Sequence, residues 1–146
     1  MNFKPEGYGT ITPYLILNNA AEAIEYYKKA FGAEELLRMP QGDKIGHAEI
    51  KIGDSAIMLA DEFPDMNILS AQTIGGSPVS MVMYVPNVDE TIATAVAAGA
   101  TLTREIEDKF YGDRAGSVKD AYGITWHIMT HIRDVSFDDM MKGGEK

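Results

Sequence analysis

Two histidines near the end of the chain could together hold a metal ion. His127 and His131 stand four residues apart in the segment YGDRAGSVKDAYGITWHIMTH, residues 111–131. On a helix this spacing places two imidazoles on one face, as in several zinc sites. On a strand four residues span about 13 Å, too far for two side chains to chelate one ion. The secondary structure of this segment therefore decides which chemistry is available.

A second candidate group lies in the run GHAEIKIG, where His47 and Glu49 alternate with Ala48 and Ile50. If this run is a strand, the polar pair shares one face and the apolar pair the other. His47 then faces a partly wet surface, where it could contact a ligand or transfer a proton. A hydrogen-bonded histidine that lines an unused groove is the equally weighted alternative.

Tyrosine and arginine side chains could complete a site for a small organic ligand. Tyr111 and Arg114 flank a turn in FYGDRAG, and the guanidinium could clamp a carboxylate or phosphonate. An ion pair of Arg114 with Asp113 or Asp120 is the slightly favoured alternative. Tyr14 lies in an apolar strand-like run and is expected to line the same pocket, although simple packing is the favoured explanation for any one strand tyrosine.

The elements that must position these residues occur twice. ITPYLILNN predicts a strand, and AAEAIEYYKKAFGAEE predicts a helix with Asn19 as N-cap and Gly32 at its end. ELLRMP, GHAEIKIG and SAIMLADE then predict three strands. From Val79 the same order returns in VSMVMYVPN, VDETIATAVAAGA, TLTREIED, DRAGSVKD and ITWHIMTHI. This pattern indicates an internal duplication.

The duplication predicts an α+β fold, in which two tandem βαβββ modules form curved mixed sheets around a cavity, with the helices on the outer face. We expect a single domain over residues 1–146, because nothing in the length requires a second. Ser136 and Asp139 indicate a short final helix, with the closing KGGEK frayed. The expected boundaries are module 1 at about 8–70, a linker at 71–78, module 2 at about 79–132 and a C-terminal tail at 133–146.

The composition excludes several classes of function. The chain has 13 Lys and Arg against 22 Asp and Glu, a net charge of -9, so nucleic acid is not an expected partner. No run is apolar enough for a membrane span or signal peptide, so no membrane association is expected and a cytoplasmic location is predicted. The absence of cysteine excludes disulfides and thiolate chemistry.

These segments resemble the vicinal oxygen chelate superfamily, which includes glyoxalase I, extradiol dioxygenases and the bleomycin resistance proteins. The resemblance covers residues 8–132. Within it, PYLILNNAAEAIEYYKKAFGAEE, GHAEIKIGDSAIMLADE and YGDRAGSVKDAYGITWHIMTH are similar to the PhnB-like branch. The resemblance implies that residues 111–131 supply two strands, so that His127 and His131 cannot share an ion. It also implies that Trp126 packs beneath the helices while His127 faces the cavity.

Metal-dependent members of this superfamily place ligands in the first and last strands of each module. The resemblance transfers those positions to Thr12, Met58, Ser80 and His127, of which only histidine is a usual ligand. We therefore predict no cofactor and no metal. A divalent metal held by another set of side chains stays open as an alternative, the candidates being His47, Glu49, Asp61, Glu62 and Asp113.

The predicted function is the binding of a small organic molecule, which the net negative charge suggests is cationic. A homodimer is implied by the resemblance. The alternative function is a metal-dependent lyase, isomerase or dioxygenase in which His47 or Glu49 moves a proton. The expected ligand-binding residues are Tyr14, His47, Glu49, Tyr111, Arg114 and His127.

Overall fold

The computed structural model describes residues 1–144 of the chain, which divide into two compact units, Met1–Ser77 and a second that begins at Pro78. The order of elements confirms the two predicted βαβββ modules and the α+β class. The first unit contains β1 (Tyr14–Leu17), α1 (Ala20–Phe31), β2 (Glu34–Gln41), β3 (Lys44–Ile52), β4 (Ser55–Asp61) and α2 (Ala71–Ile74). The second contains β5 (Met81–Tyr84), α3 (Val88–Ala97), β6 (Thr101–Asp108), β7 (Asp113–Lys119), β8 (Thr125–His131) and α4 (Phe137–Gly144).

The first unit forms a mixed sheet in the order β1-β4-β3-β2, in which β1 runs parallel to β4. The apolar side of α1, with Ala23, Ile24 and Tyr27, is fully buried, and the helix packs against β1, β3 and β4. Gly32 ends the helix as predicted, with a left-handed φ of 67° that glycine adopts without strain.

The start of α1 is held by a side chain that the sequence did not indicate. Asn19 occupies the N-cap position, but its side chain makes no capping hydrogen bond, and its amide donates instead to Glu22. The buried Asp61, at the end of β4, accepts from the N–H of Ala20 at 2.8 Å and from that of Ile45 at 2.7 Å. The prediction that the Asn19 side chain caps α1 is therefore wrong, because the carboxylate of Asp61, from a strand distant in sequence, accepts the hydrogen bond at the helix start.

The second unit repeats the arrangement in the order β5-β8-β7-β6, with β5 parallel to β8. Trp126 and Ile128 are buried, as are Ile92 and Ala95 of α3. Here Thr130 of β8 takes the place of the aspartate, because its hydroxyl accepts from the first N–H of α3 at 2.9 Å. Both modules thus anchor their helix with a side chain near the end of the last strand.

Two connecting segments differ from expectation. The predicted linker contains the single helical turn α2, which Ser70 caps by accepting from the N–H of Thr73. Ser136 caps α4 as predicted by accepting from the N–H of Asp139. The helix continues through Gly144, so residues 142–144 of the segment expected to fray are helical, and residues 145–146 lie outside the described part. No helix within residues 1–144 is long and apolar enough to cross a membrane.

Candidate functional site

The strand β3 presents its polar residues on the face opposite to the core. Ala48 and Ile50 are fully buried, whereas His47 and Glu49 alternate with them and stay partly accessible. This confirms the facing that the GHAEIKIG pattern predicts, and it follows from the period of two along a strand. The neighbouring strands place Met39 opposite His47 and Met58 opposite Glu49.

Three of the predicted site residues form a continuous hydrogen-bonded triad in the first unit. The Nε2 atom of His47 lies 2.7 Å from Oε2 of Glu49, and its Nδ1 atom lies 2.7 Å from the hydroxyl of Tyr14. An ionised carboxylate can only accept, so a neutral His47 carries its proton on Nε2. Its Nδ1 then accepts a hydrogen bond from Tyr14. The two rings also contact each other, with centroids 5.4 Å apart.

Tyr8 is a member of this cluster that the sequence analysis missed. Its hydroxyl donates to Oε1 of Glu49, the carboxylate oxygen that His47 does not use. Tyr8 lies between Gly7 and Gly9 in a segment without helix or strand that precedes β1. The motif EGYGT was a signal for a turn that presents one aromatic residue, but nothing in it indicated Glu49 as the partner. Burial raises the pKa of the Tyr14 phenol, which therefore keeps its proton at neutral pH.

The second unit places His127 on the face opposite to Trp126, as expected. Its Nδ1 atom is 2.7 Å from the hydroxyl of Ser117, and its Nε2 atom is 3.1 Å from the hydroxyl of Ser80. Because β8 is a strand, His127 and His131 cannot act as the helical pair considered first. Both nitrogens of His127 thus have protein hydrogen-bond partners.

The side chains at the superfamily's ligand positions do not fit a divalent metal. The resemblance assigns these positions to Thr12 and Met58 in the first unit and to Ser80 and His127 in the second. A thioether and two neutral hydroxyls are poor ligands for a hard cation. Residues 1–144 contain no group of three or more His, Asp or Glu side chains arranged to hold a metal.

Arg114 does not join the other site residues, because it alternates with Asp113 along β7 and points towards α3. Its guanidinium pairs with Asp89, with contacts at 3.0 and 3.1 Å, and with Asp108 at 3.0 Å. These hydrogen bonds, that to Asp89 first, raise its pKa. The prediction of an ion pair is confirmed, but the suggested partners Asp113 and Asp120 are wrong.

The two aspartates are occupied elsewhere in the second unit. Asp120 is buried in the turn between β7 and β8, where it accepts from two backbone N–H groups and from the indole of Trp126. Asp113 is also buried, and its carboxylate accepts from the hydroxyl of Tyr84 at 2.8 Å. Trp126 and Tyr84 reach the two aspartates from other strands. The closeness of Asp113 and Asp120 to Arg114 in the sequence therefore did not indicate their actual partners.

His131, for which the sequence indicated no role on a strand, forms a second polar cluster. Its Nδ1 atom is 2.8 Å from Asp113 and its Nε2 atom is 2.7 Å from Asp134. Hydrogen bonds to Asp134 and then to Asp113 raise the pKa of His131, and the hydrogen bond to Asp113 raises the pKa of Tyr84. Tyr111 lies in the turn after β6, packed edge-to-face on Phe110, and its phenol is near enough to Tyr84 to contribute to the raised pKa of that residue.

Two four-stranded mixed sheets, each with its own helix and its own polar face, define an α+β protein of two tandem βαβββ modules. The profile of the Glyoxalase/Bleomycin resistance protein/Dioxygenase superfamily matches residues 9–128, and the chain belongs to this family.

Similar proteins support this assignment. An uncharacterized protein of Mycobacterium bovis is 37% identical over 134 residues, which cover 89% of this chain and 88% of that protein. The structure of TioX from Micromonospora sp. ML1 matches with a TM-score of 0.65 and 26% identity, covering 85% of this chain and 100% of TioX. The structure of the PhnB protein of Bacillus cereus matches with a TM-score of 0.65 and 17% identity, covering 84% of this chain and 99% of the PhnB chain. At this identity the likeness concerns the fold alone.

Proposed function

We propose that the protein binds a small organic molecule without a metal ion. The ligand contacts Tyr14, His47 and Glu49 on the face of the first sheet opposite to the core, which we call the open face. His127 offers a comparable polar group on the second module. Tyr111 and Arg114 were expected contacts, but the first packs on a neighbouring ring and the second is paired with two aspartates. We do not base the proposal on these two residues.

The donor set at the superfamily's metal positions is the observation that carries this proposal. Glyoxalase- and dioxygenase-type chemistry would need several hard ligands there, and Thr12, Met58 and Ser80 are not such ligands. The alternative function, a metal-dependent lyase, isomerase or dioxygenase, therefore lacks its chemical basis at these positions. The polar groups of the open face instead suit direct hydrogen bonding to an organic compound.

The charge of the site favours a cationic ligand. The carboxylate of Glu49 has the phenol of Tyr8 and the imidazole of His47 as hydrogen-bond partners, and within residues 1–144 no ion pair of Glu49 with a lysine or an arginine is found. The whole chain carries a net charge of -9, which attracts cations to its surface. An ammonium or amidinium group could replace the phenol of Tyr8 on Glu49. Assignment to the PhnB-like branch, a homodimer and a cytoplasmic location complete the proposal.

A thermal-shift screen of small ammonium, amidinium and zwitterionic compounds, followed by calorimetry of the hits, tests the binding. Glu49→Gln should weaken a cationic hit about tenfold or more, because a charged hydrogen bond contributes about 1.5–3 kcal/mol. Glu34→Gln is the matched control, since Glu34 is an exposed glutamate at the start of β2. Equal losses in both variants, or no hit that Glu49→Gln weakens, would contradict the proposal.

Titration of the purified protein with nickel, zinc, manganese and iron(II) separates the two functions. We expect no stoichiometric tight binding of any of these ions. Binding of about one ion per chain that is lost in His127→Ala would instead establish the metal-dependent alternative. Light scattering in solution checks the proposed dimer.

A further inference from the structure

We propose that Tyr14 is an activated nucleophile, and that His47 and Glu49 relay its phenol proton when an electrophilic acyl or sulfonyl compound reaches the first module. This activity goes beyond ligand binding and requires no metal. It assigns a covalent modification site to a residue that was expected only to line a pocket.

The order of hydrogen bonds is that of a catalytic triad. Glu49 accepts from Nε2 of His47 and fixes the imidazole tautomer, so Nδ1 faces the hydroxyl of Tyr14 with its lone pair, at 2.7 Å. A nucleophile, a base and an orienting carboxylate in this sequence are the recurring elements of activated hydroxyl groups. Their geometry, not their place in the sequence, identifies them.

The exposure of the three side chains follows the same order. Tyr14 is 48% exposed, the side chain of His47 is 27% exposed and that of Glu49 only 12%. The residue that carries the nucleophile is therefore half exposed to solvent, whereas the carboxylate that stabilises the imidazolium is shielded. A shielded carboxylate interacts more strongly with a developing positive charge than an exposed one.

The protein groups that contact His47 at its two ring nitrogens are both members of the relay. Tyr14 faces His47 from β1 and Glu49 from β3. Met39 of β2, which does not titrate, lies opposite His47, and Met58 of β4, which also does not titrate, lies opposite Glu49 and Tyr14. Tyr8 donates to Oε1 of Glu49, whereas His47 uses Oε2. Since burial raises the pKa of Tyr14, its phenol rests in the protonated state and depends on the base to react.

The proposed step is a substitution without oxidation or reduction. The Tyr14 oxygen attacks the sulfur of a sulfonyl fluoride or the carbonyl carbon of an activated ester, and its proton passes to Nδ1 of His47. A bond from oxygen to sulfur or carbon forms, and the fluoride ion or the alkoxide leaves with the bonding electron pair. The alkoxide then takes a proton from water to become the alcohol. The imidazolium between Tyr14 and Glu49 then releases its proton to water.

Labelling with phenylmethanesulfonyl fluoride tests the relay without an identified ligand. The full chain is incubated with the reagent, and peptide mass mapping follows the label at each tyrosine over time. Tyr84 is the internal control, because it lies on the corresponding first strand of the second module and is 60% exposed. Its hydroxyl donates directly to a carboxylate, which is a much weaker base than imidazole.

We expect Tyr14 to react about a hundredfold faster than Tyr84, the usual scale of general-base assistance, and His47→Gln to remove the difference. Glu49→Gln, which alters a positioning residue, should lower the rate and change its pH profile. The wild-type rate should rise with pH in one ionisation step that His47→Gln lacks. Labelling of Tyr14 no faster than Tyr84, or a fast rate unchanged in His47→Gln, would overturn the proposal.

If His47→Gln does not fold, the wild-type pH profile decides, because an unassisted phenol would react only at alkaline pH. Tyr14→Phe should lose the label and keep its fold, since the ring is retained. The labelling result does not depend on the ligand screen. If the ligand screen yields no hit but Tyr14 is labelled fast, only the binding function is rejected. If the screen yields a hit but Tyr14 is labelled no faster than Tyr84, only the relay is rejected.

Discussion

Replacement of Asp61 should destabilise the first module more than any exposed substitution. Asp61 is buried and accepts two backbone hydrogen bonds, one from the first residue of α1 and one from the start of β3. Hydrogen bonds to a charged group contribute about 1.5–3 kcal/mol each, so Asp61→Ala should lower the free energy of unfolding by about 3–6 kcal/mol. Asp61→Asn keeps one acceptor oxygen and should lower the free energy of unfolding by about half as much.

Urea unfolding followed by far-ultraviolet circular dichroism measures these changes, with the slope against urea checked for constancy. Asp54→Ala is the control, because Asp54 lies in the exposed turn before β4 and should change the free energy by at most about 0.5 kcal/mol. A loss below about 1 kcal/mol for Asp61→Ala would refute the view that this carboxylate anchors α1 to the sheet.

Three further results are expected. Thr130→Val removes the acceptor for the first N–H of α3 and should lower the free energy of unfolding by about 1–2 kcal/mol. Thr130→Ser keeps the hydroxyl and should not lower it. Fluorescence of the single tryptophan during urea unfolding measures both variants. The pKa of His131 is raised in the folded state, so protonated His131 stabilises the fold. Asp134→Asn should therefore lower the free energy of unfolding fully below about pH 6.5, and this loss should vanish as the pH rises through the raised pKa of His131. NMR titration and unfolding at several pH values measure the two effects. Gly112→Ala should cost at least about 2 kcal/mol, measured by thermal unfolding, because φ is 102° and a Cβ would lie 2.2 Å from a carbonyl oxygen; an unchanged Tm would contradict this.

The features that the sequence predicted correctly depend on local periodicity. The alternation around His47 and Glu49 assigned the faces of β3, and the alternation around Trp126 assigned those of β8. Gly32 marked the end of α1 because its backbone conformation favours glycine. Such signals extend over a few residues, so they can be recognised without knowledge of the fold.

The features that were missed depend on contacts between distant residues. Asp61 replaces Asn19 as the anchor of α1 although the two are far apart in sequence, and Asp89 on a helix, not the adjacent Asp113, pairs with Arg114. In each case the strand register determines which acceptor is near. A shift of one residue would exchange the two faces and remove these contacts, and the sequence does not encode the register locally.

The two modules share their architecture but differ in chemistry. A side chain from the last strand anchors the helix in both, Asp61 in the first and Thr130 in the second. On the open faces, by contrast, the first module carries a Tyr–His–Glu triad on β1 and β3, whereas the second carries His127 between two serine hydroxyls. Anchoring requires only an acceptor at one position of the fold, so two residue types meet the need. Proton transfer requires matched acids and bases, and this difference is why we place the chemistry of the protein on the first module.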